Sequence, residues 1–133
     1  MASSFVRKTI LAGALMVSSL MFPFAADAGS EVVSSGTFEG RSDHVVTGGV
    51  TVLKTESGTI VVLEPTFSLD GAPDPKLGFG KDGYVPSTKF SVLESNTGLQ
   101  VYQVSEDVDP SQFNEIWVWC EKFNVPLGVA KLQ

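Results

Sequence analysis

The chain is poor in the side chains that bind metals and carry out nucleophilic catalysis. It has a single cysteine, Cys120, and a single histidine, His44, in 133 residues. A structural zinc site of the cysteine and histidine kind needs about four such ligands, and covalent attachment of a c-type haem needs a C-x-x-C-H motif. No G-x-S-x-G motif is present to expose a nucleophilic serine. The sequence therefore excludes both of these metal centres, and it offers no motif for a serine hydrolase.

The N-terminal region has the three parts of a secretory signal peptide. Arg7 and Lys8 precede an apolar run over residues 10–24, and the small-residue pattern of residues 26–28 follows. An apolar run of about 15 residues is shorter than the roughly 20 that a membrane-spanning helix needs. We predict cleavage after Ala28, which gives a secreted or periplasmic protein with no membrane span after cleavage.

Removal of residues 1–28 takes away all three methionines, so no thioether ligand remains. Residues 29–133 carry seven basic and fourteen acidic side chains, a net charge of −7. Because binding to phosphates relies on clustered lysine and arginine, we expect no nucleic-acid partner. About 105 residues is the size of one ordinary domain with a single core.

The pattern of residues 36–133 predicts a single all-β domain. Short runs of β-branched and aromatic residues alternate with Gly, Pro, Asp and Asn clusters, and no window shows convincing helical spacing. About seven to nine short strands favour an antiparallel β-sandwich or a small β-barrel. Residues 29–35 are predicted to be a flexible leader. The candidate strands are 36–41, 50–54, 59–64, 67–69, 76–80, 90–93, 99–104, 115–120 and 127–132, with a hairpin joining the second and third.

Two connecting segments have recognisable turn chemistry. A helical turn is predicted at residues 109–112, because Asp109 can cap it and Pro110 suits the first helical position. The stretch from Ser68 to Ser87 holds many helix and strand breakers and is predicted to be mostly surface loop. Its aspartates have no calcium-loop spacing, so local turn hydrogen bonds are favoured over a metal site.

Cys120 ends the most aromatic stretch of the sequence, residues 116–120. In a strand, alternate residues face opposite sides, so Cys120 is predicted to share one face with Val118 while Trp117 and Trp119 share the other. A cysteine in such a place is either a small buried apolar residue or a functional thiol. A thiolate activated by His44 would need the fold to bring the two residues together. The residue pattern leaves these alternatives open.

The order of motifs from about residue 36 to residue 132 resembles the DM-thirteen domain, a domain described as an electron-transfer module. The resemblance begins with Gly36-Thr37-Phe38, His44 and Gly48-Gly49, and continues through an apolar strand to Gly71-Ala72-Pro73-Asp74. Its most specific part is the segment over residues 118–130, in which a Trp-Cys pair is followed by Phe-x-Val, a small residue and Ala. This chain departs from the family pattern at Leu69 and Leu77, and at Pro126-Leu127, where aromatic residues are common.

The resemblance implies an exported redox or electron-transfer module that acts through Cys120. The cysteine would serve as a free thiol or as a ligand to a group such as haem, whose iron a thiolate can bind. His44 and Trp119 are the residues assigned to the same site, and Tyr84 and Tyr102 are further candidates for a second ligand. The expected partner is a redox protein.

A second hypothesis needs no cysteine chemistry. The domain could be a non-catalytic extracellular or periplasmic β-sandwich, a binding or adhesion module whose loop over residues 70–86 contacts a surface ligand such as a protein or a glycan. In that case Cys120 is a packing residue.

Overall fold

A computed structural model describes residue 13 and residues 29–133 of the chain. Apart from Gly13, the predicted signal peptide lies outside the described residues. Within the described part, the structure contains no helix that is long and apolar enough to cross a membrane.

Ten strands and two short 3₁₀ turns form the domain. The strands are β1 (Glu31–Gly40), β2 (Val46–Thr47), β3 (Gly49–Thr55), β4 (Gly58–Leu63), β5 (Ser68–Leu69), β6 (Pro75–Gly80), β7 (Ser91–Val92), β8 (Gln100–Gln103), β9 (Glu115–Cys120) and β10 (Val125–Lys131). The 3₁₀ turns span Pro86–Thr88 and Pro110–Gln112.

Eight of the strands make one antiparallel sheet in the order β7-β6-β9-β10-β1-β3-β4-β8, which curls until it is nearly closed into a barrel. The strands β2 and β5 pair separately. The ends of the large sheet approach each other through side chains: the Phe90 and Tyr102 rings lie 6.1 Å apart, and the Glu94 backbone N–H donates to the Tyr102 hydroxyl. The predicted all-β class is confirmed, and the antiparallel sheet is nearly closed into a barrel.

The core fills the inside of this curled sheet with alternate residues of each strand. The fully buried members are mainly aliphatic, and aromatic rings occupy the remaining space, as expected when β-branched residues alternate with residues that face outward. The Phe79 ring lies 5.4 Å from the Phe90 ring and 5.7 Å from the Phe113 ring. The largest completely buried side chains are Phe67, Phe79, Leu63, Leu77, Ile116 and Leu127.

Several sequence predictions of local structure are confirmed. The strands β3 and β4 form the predicted antiparallel hairpin, and Gly58 has the positive φ (117°) that its turn requires. The predicted strand 115–120 is β9. Asp109 caps the 3₁₀ turn at Pro110–Gln112 by accepting a hydrogen bond from the Ser111 backbone N–H.

The structure differs from the sequence predictions at residues 31–35 and at β2. Residues 31–35, predicted as a flexible leader, form the first half of β1 and pair with β3. The segment 68–87 is interrupted by β6, a central strand between β7 and β9, as the candidate strand 76–80 indicated. The short strand β2 lies outside every predicted strand.

Truncation of Phe79 should destabilise the fold. We expect Phe79→Ala to lower the free energy of unfolding by about 3–5 kcal/mol, because it leaves a cavity beside the Phe90 and Phe113 rings. Phe123→Ala is the matched control, since Phe123 is 62% exposed and its loss should change stability by less than about 0.5 kcal/mol. Urea denaturation measures both variants, and equal losses would contradict this description of the core.

Candidate functional site

Cys120 lies on the inner face of β9, at the last residue of the strand. Ile116, Val118 and Cys120 point into the core, as the alternation predicted, and Cys120 is only 1% exposed. Its strand neighbours are Pro75 of β6 and Val125 of β10. The chain leaves the sheet directly after Cys120, so the buried thiol lies one residue from exposed Glu121.

The surroundings of Cys120 do not fit a haem ligand. A thiolate that binds haem iron must face a space that accepts the macrocycle, whereas the Cys120 side chain is enclosed by the core cluster. Three surface cavities of about 490, 320 and 500 Å³ are lined by described residues, and Cys120 lines none of the three.

The opposite face of β9 carries an aromatic surface formed by Tyr84, Trp117 and Trp119. The rings of Tyr84 and Trp119 are stacked, with centroids 4.6 Å apart and an interplanar angle of 15°. The Trp117 ring meets the Trp119 ring edge-on at 6.2 Å. All three residues are half-buried, and we refer to them as the outer aromatic surface. Trp119 is thus covalently next to Cys120, but its side chain lies on the other side of the sheet.

Glycines of β6 make room for this aromatic surface. A Cβ atom on Gly78 would lie 2.7 Å from the Tyr84 ring, and one on Gly80 would overlap the Trp117 indole nitrogen. Either contact is closer than side chains tolerate, so the two glycines allow the rings to lie flat on the sheet. This explains why β6 contains two glycines, although glycine ordinarily weakens strands.

Glu115 fixes the position of the loop that carries Tyr84. Its largely buried carboxylate accepts hydrogen bonds from the Gly83 backbone N–H at 2.8 Å and from the Trp117 Nε1–H at 3.3 Å. A buried carboxylate is stable only when its oxygens find donors, and here one oxygen receives both. Sequence reasoning missed Glu115, because its partner Gly83 lies 32 residues away along the chain.

The indole and phenol groups of the surface have their own local partners. The Trp119 Nε1–H donates to the Asn124 side-chain oxygen at 3.2 Å. Burial raises the pKa of Tyr84 above its ordinary value, and the Glu121 carboxylate raises it further, so the phenol keeps its proton. Lys89 lies close by and forms an ion pair with Glu121 at 2.8 Å.

His44 and Cys120 lie at the same end of the barrel, but they extend from the ends of different strands, β1 and β9. His44 follows β1, whose last residue Gly40 pairs with Gly128 of β10, and β10 begins opposite Cys120. The strand β10 therefore separates the strands from which the two residues extend. Among the described residues, no hydrogen bond joins the two side chains, and His44 Nδ1 instead lies 2.8 Å from an Asp70 carboxylate oxygen.

The other residues considered as ligands also have structural partners. Asp74 forms an ion pair with Lys76 at 2.7 Å. The Tyr102 hydroxyl is buried and donates to the Gln100 side-chain oxygen. In the part of the chain that the structure describes, no three His, Cys, Asp or Glu side chains cluster as a metal site would require.

The pairing of His44 with Asp70 predicts a specific loss of stability in acid. The hydrogen bond from His44 lowers the pKa of Asp70 below its ordinary value of 3.8. A carboxyl with a lowered pKa stabilises the fold above the pKa that it has in the unfolded chain, and this contribution is lost as pH falls through the folded-state pKa. We expect the Tm of Asp70→Asn to fall less than that of the wild type between about pH 5 and pH 3.

Thermal melts at several pH values measure this effect. The exposed Asp82, which makes no side-chain hydrogen bond within the described residues, provides the control variant Asp82→Asn. If Asp70→Asn retains the full acid sensitivity of the wild type, the pair does not stabilise the fold.

The resemblance seen in the sequence can be tested against known proteins. The family model described as Electron transfer DM13 matches residues 37–132, from β1 to the residue after β10. No curated protein and no solved structure matches the chain. The family match covers well over half of the sequence, so the predicted DM-thirteen resemblance is confirmed. The chain belongs to the Electron transfer DM13 family, and it is in general terms a redox or electron-transfer module.

Proposed function

We propose that this chain is an exported electron-transfer module that uses the Cys120 thiol as its redox group. The observation that carries the proposal is the family match, together with the place of the single cysteine directly beside Trp119. Electron transfer needs a side chain or cofactor that changes oxidation state. Residues 29–133 contain no methionine and no second cysteine, so Cys120 is the one sulfur available in them.

The burial of Cys120 favours transfer of electrons over covalent reactions of the sulfur. A thiol reacts covalently in proportion to its exposure and its thiolate fraction, and a residue that is 1% exposed offers almost no approach. An electron needs no such contact, because it can pass between Cys120 and the neighbouring Trp119, whose stacked ring reaches the surface. This arrangement supports a module that exchanges electrons through the outer aromatic surface.

The proposed step is a one-electron oxidation. Cys120 loses one electron and its thiol proton and becomes a thiyl radical, and the electron reduces a one-electron acceptor held by a partner redox protein. Return of one electron and one proton restores the thiol. His44 is proposed to assist as the proton acceptor at this end of the barrel, because Asp70 holds its Nδ1 and leaves Nε2 free to accept.

Replacement of Cys120 tests the proposal. In the wild type, a photogenerated ruthenium(III) oxidant removes one electron from the surface indole of Trp119, and Cys120 then returns an electron to that radical. We expect Cys120→Ala to lengthen the lifetime of the tryptophan radical at least about tenfold, as measured by transient absorption. Equal lifetimes in a folded Cys120→Ala variant would remove Cys120 from the proposed function, and Phe123→Leu serves as the control for an unrelated aromatic change.

The response to added haem follows from the enclosed sulfur. We expect no Soret band of thiolate-ligated haem when haemin is titrated into the wild type, because ligation would require the core to open around Cys120. The absorbance should match that of Cys120→Ala at every ratio. A Soret band in the wild type that Cys120→Ala lacks would contradict the enclosed arrangement and favour the haem-ligand hypothesis.

The alternative function, a non-catalytic binding or adhesion module, is favoured by one observation: Cys120 is packed as a core residue. On this hypothesis the loop segments on either side of β6 would contact a surface ligand. Cys120→Ser would then leave binding intact and cost about 1–3 kcal/mol of stability, because the buried hydroxyl needs a new hydrogen bond.

A further inference from the structure

The two tryptophans of the outer aromatic surface differ in the group that accepts a hydrogen bond from the indole N–H. The Trp117 Nε1–H donates to the Glu115 side-chain oxygen Oε1 at 3.3 Å, whereas the Trp119 Nε1–H donates to the Asn124 side-chain oxygen at 3.2 Å. A carboxylate is a negatively charged base, whereas an amide is neutral and is not a base near neutral pH. The two indoles therefore have different chemical surroundings on the same face of β9.

The Glu115 carboxylate is placed to act strongly on Trp117. Glu115 is 7% exposed, and no other acidic side chain of the described residues is buried. No lysine or arginine forms an ion pair with it in this part of the chain. Because charges interact more strongly where water is excluded, this carboxylate stabilises a positive charge on Trp117 more than a surface carboxylate would.

Oxidation of an indole makes this difference between the two tryptophans important. When the ring loses one electron it becomes a radical cation, and its N–H becomes a far stronger acid. The proton can then move to a base that is already in hydrogen-bond contact, as Glu115 is with Trp117. The Asn124 amide offers no base to the radical cation of Trp119. Trp117 is thus the indole whose oxidation can be coupled to proton transfer within the protein.

The rings of the outer aromatic surface are close enough to exchange an electron. Trp117 meets Trp119 at 6.2 Å between centroids, and Trp119 is stacked on Tyr84 at 4.6 Å. Oxidation of Tyr84 would also require loss of a proton, but among the described residues its hydroxyl makes no hydrogen bond to an acceptor. Whichever ring first loses an electron, the oxidised state is therefore most stable on Trp117.

We propose that Trp117 and Glu115 form a proton-coupled redox pair at which the outer aromatic surface holds its oxidised state. Trp117 loses one electron to a one-electron acceptor of the partner redox protein, and its Nε1 proton moves to Glu115 Oε1. The products are a neutral indolyl radical, a protonated Glu115 and a reduced acceptor. Return of one electron, from Cys120 through Trp119, brings the proton back to Nε1. This assignment rests on the proposed electron-transfer function and names the side chains that hold the charge.

Glu115 also holds the Gly83 loop, so its role as a base must be separated from its role in the fold. Glu115→Gln does this, because the glutamine side-chain oxygen can still accept hydrogen bonds from the Gly83 backbone N–H and from the Trp117 Nε1–H. The substitution keeps the size of the side chain and removes the base. Thermal melts establish that this variant and those below are folded.

Transient absorption after photo-oxidation by ruthenium(III) tests the pair in a purified protein with one tryptophan. The protein carries Cys120→Ala, so that no thiol returns an electron, and Trp119→Phe, so that Trp117 is the single tryptophan. We expect its radical cation to convert to the neutral radical, and Glu115→Gln to slow this conversion at least about tenfold. Time-resolved infrared spectra should show the carbonyl band of a protonated carboxylic acid as the neutral radical forms, and Glu115→Gln should remove this band.

The reciprocal experiment gives the other indole a base. In a protein with Cys120→Ala and Trp117→Phe, Trp119 is the single tryptophan, and its radical cation should persist. Asn124→Asp should speed formation of the neutral radical at least about tenfold, because a carboxylate then accepts the Trp119 Nε1–H. Asn124 has a φ of 51°, a conformation that aspartate also adopts, so the turn is retained.

Two results would overturn the proposal. One is a conversion rate on Trp117 that Glu115→Gln leaves unchanged, and the other is a neutral radical that forms without the carboxylic acid band. Every protein in these comparisons lacks the Cys120 thiol, so the results do not depend on whether Cys120 is the redox group. Failure of the Cys120 proposal would instead be seen in the radical lifetimes of proteins that differ at residue 120.

Discussion

The domain depends on strand β9, which is apolar on both faces. Between β6 and β10, its inward residues complete the core of the barrel, and its outward tryptophans are half-buried, with Trp119 stacked on Tyr84. Two apolar faces are the mark of a strand at the centre of a sheet. Because the register of β9 is fixed by both faces, the position of Cys120 inside the barrel follows directly from the position of Trp119 outside it.

The sequence alone was sufficient to predict those parts of the fold that depend on local interactions. The β3–β4 hairpin could be predicted from a short turn that contains a glycine, and the Asp109 cap could be predicted from its own segment. The aromatic and β-branched residues of β9 identified it as a strand. The sequence was insufficient where distant segments decide the outcome. The leader became part of β1 because β3 offers it a partner, and Gly78 and Gly80 belong to a strand because aromatic rings need the space beside them.

The candidate site shows the same division. The opposite orientations of Cys120 and Trp119 could be predicted from strand alternation, whereas the burial of the thiol and the pairing of His44 with Asp70 could not. Both depend on which strands become neighbours in the barrel. Glu115 is the clearest case, since a carboxylate in an apolar strand gives no sign of the distant loop that it holds.

The enclosed position of Cys120 also distinguishes folded from unfolded molecules. A folded chain hides its one thiol beneath the end of β9, whereas any chain that has lost or not yet formed this strand exposes it. In an oxidising compartment two exposed thiols can join as a disulfide, so only molecules that fail to fold would become covalently linked. A disulfide-linked dimer of this chain would therefore mark molecules in which the end of β9 has not folded.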